Sequence, residues 1–448
     1  MMREMTLSEL EGLLEGELVG ADRGFQRVST DTRNLSSGDL YVALRGENFD
    51  GHDYLQQARE AGAVAALVSR QVEDDLPQLL VADTQGALGL LAAANRELFS
   101  GPLVAITGSS GKTTAKNMVR AVLSQRGNTL ATEGNFNNEI GVPLTLLRLG
   151  PESEFAVVEM GAAKRGDIAW LCQLGRPTIS LLLNAMPAHL QGFGSVEDVA
   201  MAKGEIFDAL GSEGVAIINA DQPWARKWRA RAGTASVLDF SLDAAAAISA
   251  RAIQSRGIEG VSFIALTPAG DVPVRLHMPG VHNVANALAA IAVGLACELS
   301  LDEIRRGLEQ VRPVAGRLSA ARSSAGVTVI DDCYNANPGS VRAAIDTLAD
   351  CSGRRTLVLG AMRELGPDSE TMHREIGDYA RQAGIDAFWG VGPELAVAAA
   401  AFGEGARHFE DRDALVAVLP ADFEGGDTVL VKGSRSAGME HIVEALLG

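Results

Sequence analysis

The sequence predicts an α/β protein of three domains: a small leading α/β unit, a central mainly parallel sheet and a second doubly wound sheet. Three observations carry this expectation. At 448 residues the chain is too long for one core and fits about two to four domains. Apolar runs of strand length alternate with helical stretches through residues 85–313, and the pattern restarts near residue 314, with Pro313 and Gly316 at the junction. The stretch LVAITGSSGKTT, residues 103–114, joins a buried strand to a helix through a glycine-rich turn.

In residues 1–84, LSELEGLL (7–14) reads as a short helix, and DLYVAL (39–44) and AVAALV (63–68) as strands bracketing a helix near 54–61. The loops between them, STDTRNLSSGD and RGENFDGHD, are too rich in Asp, Arg and Gly to be core, and are either binding loops or solvated turns. In residues 85–313 the strands are 103–106, 155–158, 178–183 and 215–218. Ligands of such sheets collect beyond the carboxyl ends of the strands. Those ends carry the glycine turn, Glu159, then Asn184 and His189, then Asn219 and Asp221. In residues 314–448 the strands are 327–330, 356–359, 387–391 and 428–431, with a polar edge that includes Asp331, Asp332, Tyr334, Asn335, Lys432 and Arg435.

Composition narrows the class of function. The chain is 47% hydrophobic and 21% charged, as expected of a soluble globular protein, and its net charge of -18 argues against nucleic-acid or anionic-membrane partners. Its four cysteines show no C-x-x-C pairing, which fits a reduced chain without structural zinc. No apolar run is long enough to span a membrane, and the N-terminus lacks signal-peptide character, so a cytoplasmic, monomeric protein is expected.

The glycine turn surrounds an anion with backbone N–H groups and a helix N-terminus, with Lys112 to reach phosphate and a threonine hydroxyl for Mg²⁺. Only two residues separate Gly108 from Gly111, where the common phosphate loop has four between its glycines. Glu159 is either a Mg²⁺ ligand or a cap on the next turn. Lys203 falls on the apolar stripe Val196, Val199, Ile206, Leu210, where a solvated lysine does not belong. It either snorkels or is kept neutral or modified for a metal. His282 or Asn283 caps a helix or reads a base edge. Asn135, Asn137 and Asn138 suit a sugar or peptide ligand, or form a surface loop.

Together these motifs resemble the Mur ligase family of ATP-dependent amide-bond-forming enzymes, over essentially the whole chain; the short glycine spacing of TGSSGKTT is a mark of that family. The resemblance implies a UDP-substrate domain at 1–84, an ATP-binding domain at 85–313 and a Rossmann-like domain at 314–448. It implies that Gly108, Ser109, Ser110, Gly111, Lys112, Thr113 and Thr114 cradle ATP, with His282 and Asn283 at adenine, Asp332 near the ribose and Arg317 on the γ-phosphate. Two Mg²⁺ would be held by Thr113, Glu159, His189 and a carbamylated Lys203, giving Lys112, Lys203, His189 and Arg317 as the catalytic set. Leu183 and Gln191, beside His189, depart from the residues common in the family.

STDTR, GNFNNEIGVPL, DDCYNANPGS, LGAMRELG and KGSRSAGME resemble the branch that adds D-alanyl-D-alanine to a UDP-linked muramoyl tripeptide through an acyl phosphate. That implies UDP-substrate contacts at Asp31, Arg33, Arg45, Asn135, Asn137 and Asn138, and dipeptide contacts at Tyr334, Asn335, Asn337 and Arg435. Another amino-acid-adding member would carry D-N-P-R, which is absent; a phosphate-loop kinase or ATPase would not need two further units with polar edges.

Overall fold

Asp83 starts the helix that ties the first unit to the second. In the computed structural model, which describes residues 2–187, 190–419 and 423–448, its carboxylate accepts the N–H groups of Gln85 and Gly86 and opens the helix Thr84–Glu97. Leu88, Leu91 and Ala92 on that helix share one apolar core with Leu40 and Leu67 of the first sheet and Ala156 and Leu171 of the central unit. Each buried leucine contributes about 1.5–3 kcal/mol, so the two units are joined by packing as well as by chain.

The first sheet has five strands in the order Glu17–Val19, Gln78–Leu80, Ala65–Val68, Leu40–Val42, Val28–Ser29, with only the outer Glu17–Val19 antiparallel. The expected strands and the helix Leu7–Leu14 are all present.

The central sheet has six parallel strands, ordered Ser236–Phe240, Val215–Asn219, Ile179–Leu182, Leu103–Thr107, Phe155–Glu159, Thr129–Ala131. The four inner strands are short, mainly apolar and almost wholly buried, as burial on both faces requires, while the two edge strands are partly exposed. Leu103–Thr107 is the first of the six in the chain and later strands add on both sides of it, so the order reverses there and opens a crevice at its carboxyl end. The helices Lys112–Leu123 and His282–Ala296 cover one face. An antiparallel sheet of three strands (Ser249–Ser255, Val261–Thr267, Gly270–Leu276), not foreseen from sequence, packs onto the same core.

The last unit also has six strands, ordered Ser319–Arg322, Thr328–Asp332, Thr428–Lys432, Arg355–Gly360, Ala387–Val391, Ala406–Phe409; all pair parallel except the first. Asp332 and Lys432 end neighbouring strands, so both face the same edge. Asn337 caps the helix Pro338–Ala349 in a reciprocal box with Ser340, and Pro338 takes the first helical position. Two contacts set this unit against the centre. Leu190 N–H donates to the Glu364 carbonyl at 3.1 Å, and a Cβ on Gly339 would lie 2.4 Å from Met186 Sδ.

Candidate active site

The strand Leu103–Thr107 ends in residues 108–111, and Gly111, at φ 80°, hands the chain to the helix Lys112–Leu123. No side chain caps that helix, which leaves its first N–H groups for a ligand. Asn286 Oδ1 presses so close to Gly111 that a Cβ there would sit 2.8 Å away, so positive φ and close approach both demand glycine. Asn184, at the end of the adjacent strand, holds the loop in shape. Its Oδ1 accepts Ser110 N–H at 2.9 Å and its amide donates to the Ser110 carbonyl at 3.1 Å. Its backbone carbonyl accepts Ser109 N–H at 3.1 Å.

Lys112 Nζ folds back onto the Gly108 carbonyl at 2.7 Å. Burial lowers the pKa of this ammonium, Glu159 opposes the shift and the Arg317 charge adds to it. Phosphate oxygens would relieve both penalties.

Below the loop, Glu159 is 2% exposed and fully engaged. Its Oε2 accepts from the Thr113 hydroxyl at 3.0 Å, and Oε1 from the Asn137 amide at 2.8 Å. Lys116 Nζ lies 3.5 Å from the same carboxylate, with its stem buried and a hydrogen bond to the Gly134 carbonyl at 3.2 Å. Glu159 therefore does not cap the next turn. A carboxylate and a hydroxyl side by side at a phosphate loop are the hard oxygen donors Mg²⁺ takes. Among the described residues no cluster of three or more His, Cys, Asp or Glu forms. His189 lies outside the described residues.

Three cavities meet at the asparagine cluster. A cleft of about 320 Å³ separates the phosphate loop from the last unit and is lined by Lys112, Thr114, His282, Asn283, Arg317 and Asp332 among others. A cavity of about 1250 Å³ opens between the first and central units, and one of about 600 Å³ runs from Lys112 to Trp170 and Lys203. Asn135 lines the first two, Asn137 the cleft and the third, and Asn138 the second and third.

Lys203 ends the helix Val196–Lys203, and residues 204–207 tighten into a 3₁₀ turn, so the helical stripe is shorter than its spacing suggests. The lysine is 2% exposed. Burial, reinforced by Lys112, pulls its pKa down to about 7.

On the far wall of the cleft, Arg317 stacks its guanidinium 3.9 Å from the centroid of the Tyr334 ring. Asp332 is bound to Lys432 Nζ at 2.5 Å and accepts Leu318 N–H at 3.2 Å. Burial raises the Asp332 pKa and Lys432 opposes the rise. His282 reaches into the cleft, and burial, with Lys432 adding to it, holds its pKa down at about 4, so it presents a neutral ring. Neither His282 nor Asn283 caps its helix: the capping position is Val281, and Asn283 donates to the Pro279 carbonyl at 2.7 Å while accepting from Asn286.

Asn335 and Asn337 also line the cleft. Arg435 does not; it is largely exposed, 3.4 Å from Glu440. Asp31 lines the large cavity, but its carboxylate is bridged by Arg33, and neither Arg33 nor Arg45 lines any of the three cavities. Lys116 was missed from sequence, and Lys432 was read only as part of the polar edge of the last unit. One looks like an ordinary helix lysine and the other like a strand end; only the buried carboxylate beside each sets it apart.

Family models match three stretches: the Mur ligase family, catalytic domain over 25–96, the Mur ligase middle domain over 106–294, and the Mur ligase, glutamate ligase domain over 316–435. The UDP-N-acetylmuramoyl-tripeptide–D-alanyl-D-alanine ligase of Escherichia coli K12 is 48% identical over 99% of both chains. The chain belongs to the Mur ligase family. Among solved Mur ligases, a MurF crystal structure from Acinetobacter baumannii superposes with a TM-score of 0.94 at 34% identity, covering 100% of this chain and 99% of that one. An A. baumannii structure named as the UDP-N-acetylmuramoylalanyl-D-glutamyl-2,6-diaminopimelate–D-alanyl-D-alanyl ligase matches at 34% identity and TM-score 0.89, covering 99% and 98%. The Thermotoga maritima MurF ligase in complex with ADP matches at 29% and 0.85, covering 94% and 97%. The carbamate implied at Lys203 finds no support among these relatives.

Proposed function

We infer that the chain joins the terminal carboxylate of UDP-N-acetylmuramoyl-tripeptide to the amine of D-alanyl-D-alanine, converting ATP to ADP and phosphate, in peptidoglycan precursor synthesis. Full-length identity of 48% to a ligase of that name carries the reading. The site supports it: a phosphate loop with its lysine, an oxygen pair for a metal and an arginine on the opposite wall gather around one cleft.

In this account a carboxylate oxygen attacks the γ-phosphorus and the bond to ADP breaks, giving an acyl phosphate. The dipeptide amine then attacks the acyl carbon, loses a proton, and phosphate leaves. Lys112 and Arg317 offset the negative charge that three anionic groups bring together. Mg²⁺ held by Thr113 and Glu159 would neutralise phosphate charge further. Lys116 keeps Glu159 aimed, Asn184 keeps the loop N–H groups on the phosphates, and the last unit covers the cleft against water.

Residues 1–84 and the large cavity are assigned to the uridine diphosphate end, with Asp31, Asn135 and Asn138 as contacts. Residues 85–313 are assigned to ATP, and residues 314–448 to the dipeptide, with Asn335 and Asn337 lining the nucleotide cleft. No helix among the described residues is long and apolar enough to cross a membrane, and a cytoplasmic site of action is assigned because ATP and nucleotide-linked precursors meet there. The test is ADP formation with UDP-tripeptide, with and without D-alanyl-D-alanine. A ligase releases ADP at full rate only with the dipeptide; a dipeptide-independent rate would return the phosphate-loop ATPase reading.

A further inference from the structure

The reacting carboxylate of the tripeptide and the side chain of its third residue branch from one Cα. The side chain must therefore enter a cavity that begins at the phosphate-directed lysine. The 600 Å³ cavity does so, because Ser109, Lys112 and Asn137 line both it and the nucleotide cleft. Its floor includes Trp170 and Leu171, which suit an aliphatic chain.

Its outer wall is charged and firmly built. The Asp167 carboxylate accepts the N–H groups of Ala163 and Lys164 at 2.9 and 3.0 Å, and Glu205 accepts those of Gly166 and Ala169. Asp167 is thus committed to holding the segment that carries Lys164. Lys164 and Glu139, which both line the cavity, make no ion pair or side-chain hydrogen bond among the described residues. Besides Lys112, Lys203 and Asp167, the cavity therefore presents one exposed cation and one exposed anion that do not pair with each other. A chain ending in an ammonium alone uses one of them, and a chain ending in an ammonium and a carboxylate uses both.

We propose that Glu139 and Lys164 form a subsite for the zwitterionic end of a 2,6-diamino diacid at the third position of the tripeptide, Glu139 taking the distal ammonium and Lys164 the distal carboxylate. The inference rests on the ligase reading above and adds to it the residues that select the substrate.

The test compares initial rates of the wild-type enzyme, K164M and E139Q on two UDP-N-acetylmuramoyl-tripeptides, one ending in meso-diaminopimelate and one in L-lysine, at saturating ATP and D-alanyl-D-alanine. Both side chains lie at the surface, so the variants fold. The wild type has the lower KM for the diaminopimelate substrate. K164M raises that KM about tenfold and narrows the preference, whereas E139Q raises KM for both substrates. Equal KM values in the wild type, or a diaminopimelate KM that K164M leaves unmoved, overturn the subsite and leave the ligase reading standing. No product from either substrate overturns the reading beneath it.

Discussion

The guanidinium of Arg317 rests 3.9 Å from the centroid of the Tyr334 ring, so the arginine that faces the phosphate loop is carried on an aromatic plate. The backbone reinforces the pairing. Tyr334 N–H donates to the Gly316 carbonyl at 3.0 Å, and Gly316 N–H donates to Asp331 at 2.8 Å. The junction and the strand-end loop thus form one stitched unit that delivers Arg317 in a fixed direction. Replacing Tyr334 with Ala should lower kcat about tenfold while Tyr334→Phe stays within about twofold, since the ring face supplies the contact. Steady-state kinetics decide it. A Tyr334→Phe enzyme as poor as the alanine variant would make the phenol hydroxyl a substrate contact instead.

Lys432 Nζ binds Asp332 and also the Asn335 carbonyl at 2.8 Å, in a site where both side chains are largely buried. Lys432→Met leaves the carboxylate buried without its cation, at a cost of about 3–5 kcal/mol. The melting temperature should fall, and Asp332→Asn in the same chain should restore part of it. Melts of the two variants that coincide with the wild type would mean that the pair is solvated.

Asn184 satisfies both backbone groups of Ser110. Asn184→Ala should raise KM for ATP by about tenfold, because the loop N–H groups lose their fixed orientation. An unchanged KM with intact folding by circular dichroism would show that the loop holds its shape alone.

Lys203 makes stability depend on pH in a direction that can be worked out. Its folded pKa, about 7, lies below the ordinary lysine value, so between pH 7 and about 10 the unfolded chain binds the extra proton. Stability from this group therefore rises with pH through that window, and the folded protein pays the burial penalty below it. Lys203→Met should be more stable than the wild type at pH 6, by on the order of a few kcal/mol, and lose that advantage towards pH 10. A difference in melting temperature that does not vary with pH would place the ammonium in water.

Much of the fold is legible in short apolar runs: each expected strand is present, because burial on both faces leaves no polar alternation to confuse with a helix. The antiparallel strands Val261–Thr267 and Gly270–Leu276 went unread, although they alternate buried and exposed residues with period two; Pro273 within the second hides the pattern. The site divides in the same way. The phosphate loop is local in sequence and announces itself. The Asp332–Lys432 bond spans 100 residues and the Lys116–Glu159 contact joins two elements, so neither pairing can be seen until the sheet brings them together. Capping stayed open for Asn283 and Glu159 because caps are a common use of such residues; the structure engages both side chains inside the site region instead.

The most direct test of the central claim labels the tripeptide carboxylate with ¹⁸O and reads products by mass spectrometry after mixing with ATP and D-alanyl-D-alanine. The expected product is a UDP-linked pentapeptide equal in mass to the two labelled substrates less one H₂¹⁸O, with one ¹⁸O in the released phosphate. Phosphate free of ¹⁸O, or ADP without the pentapeptide, would contradict it.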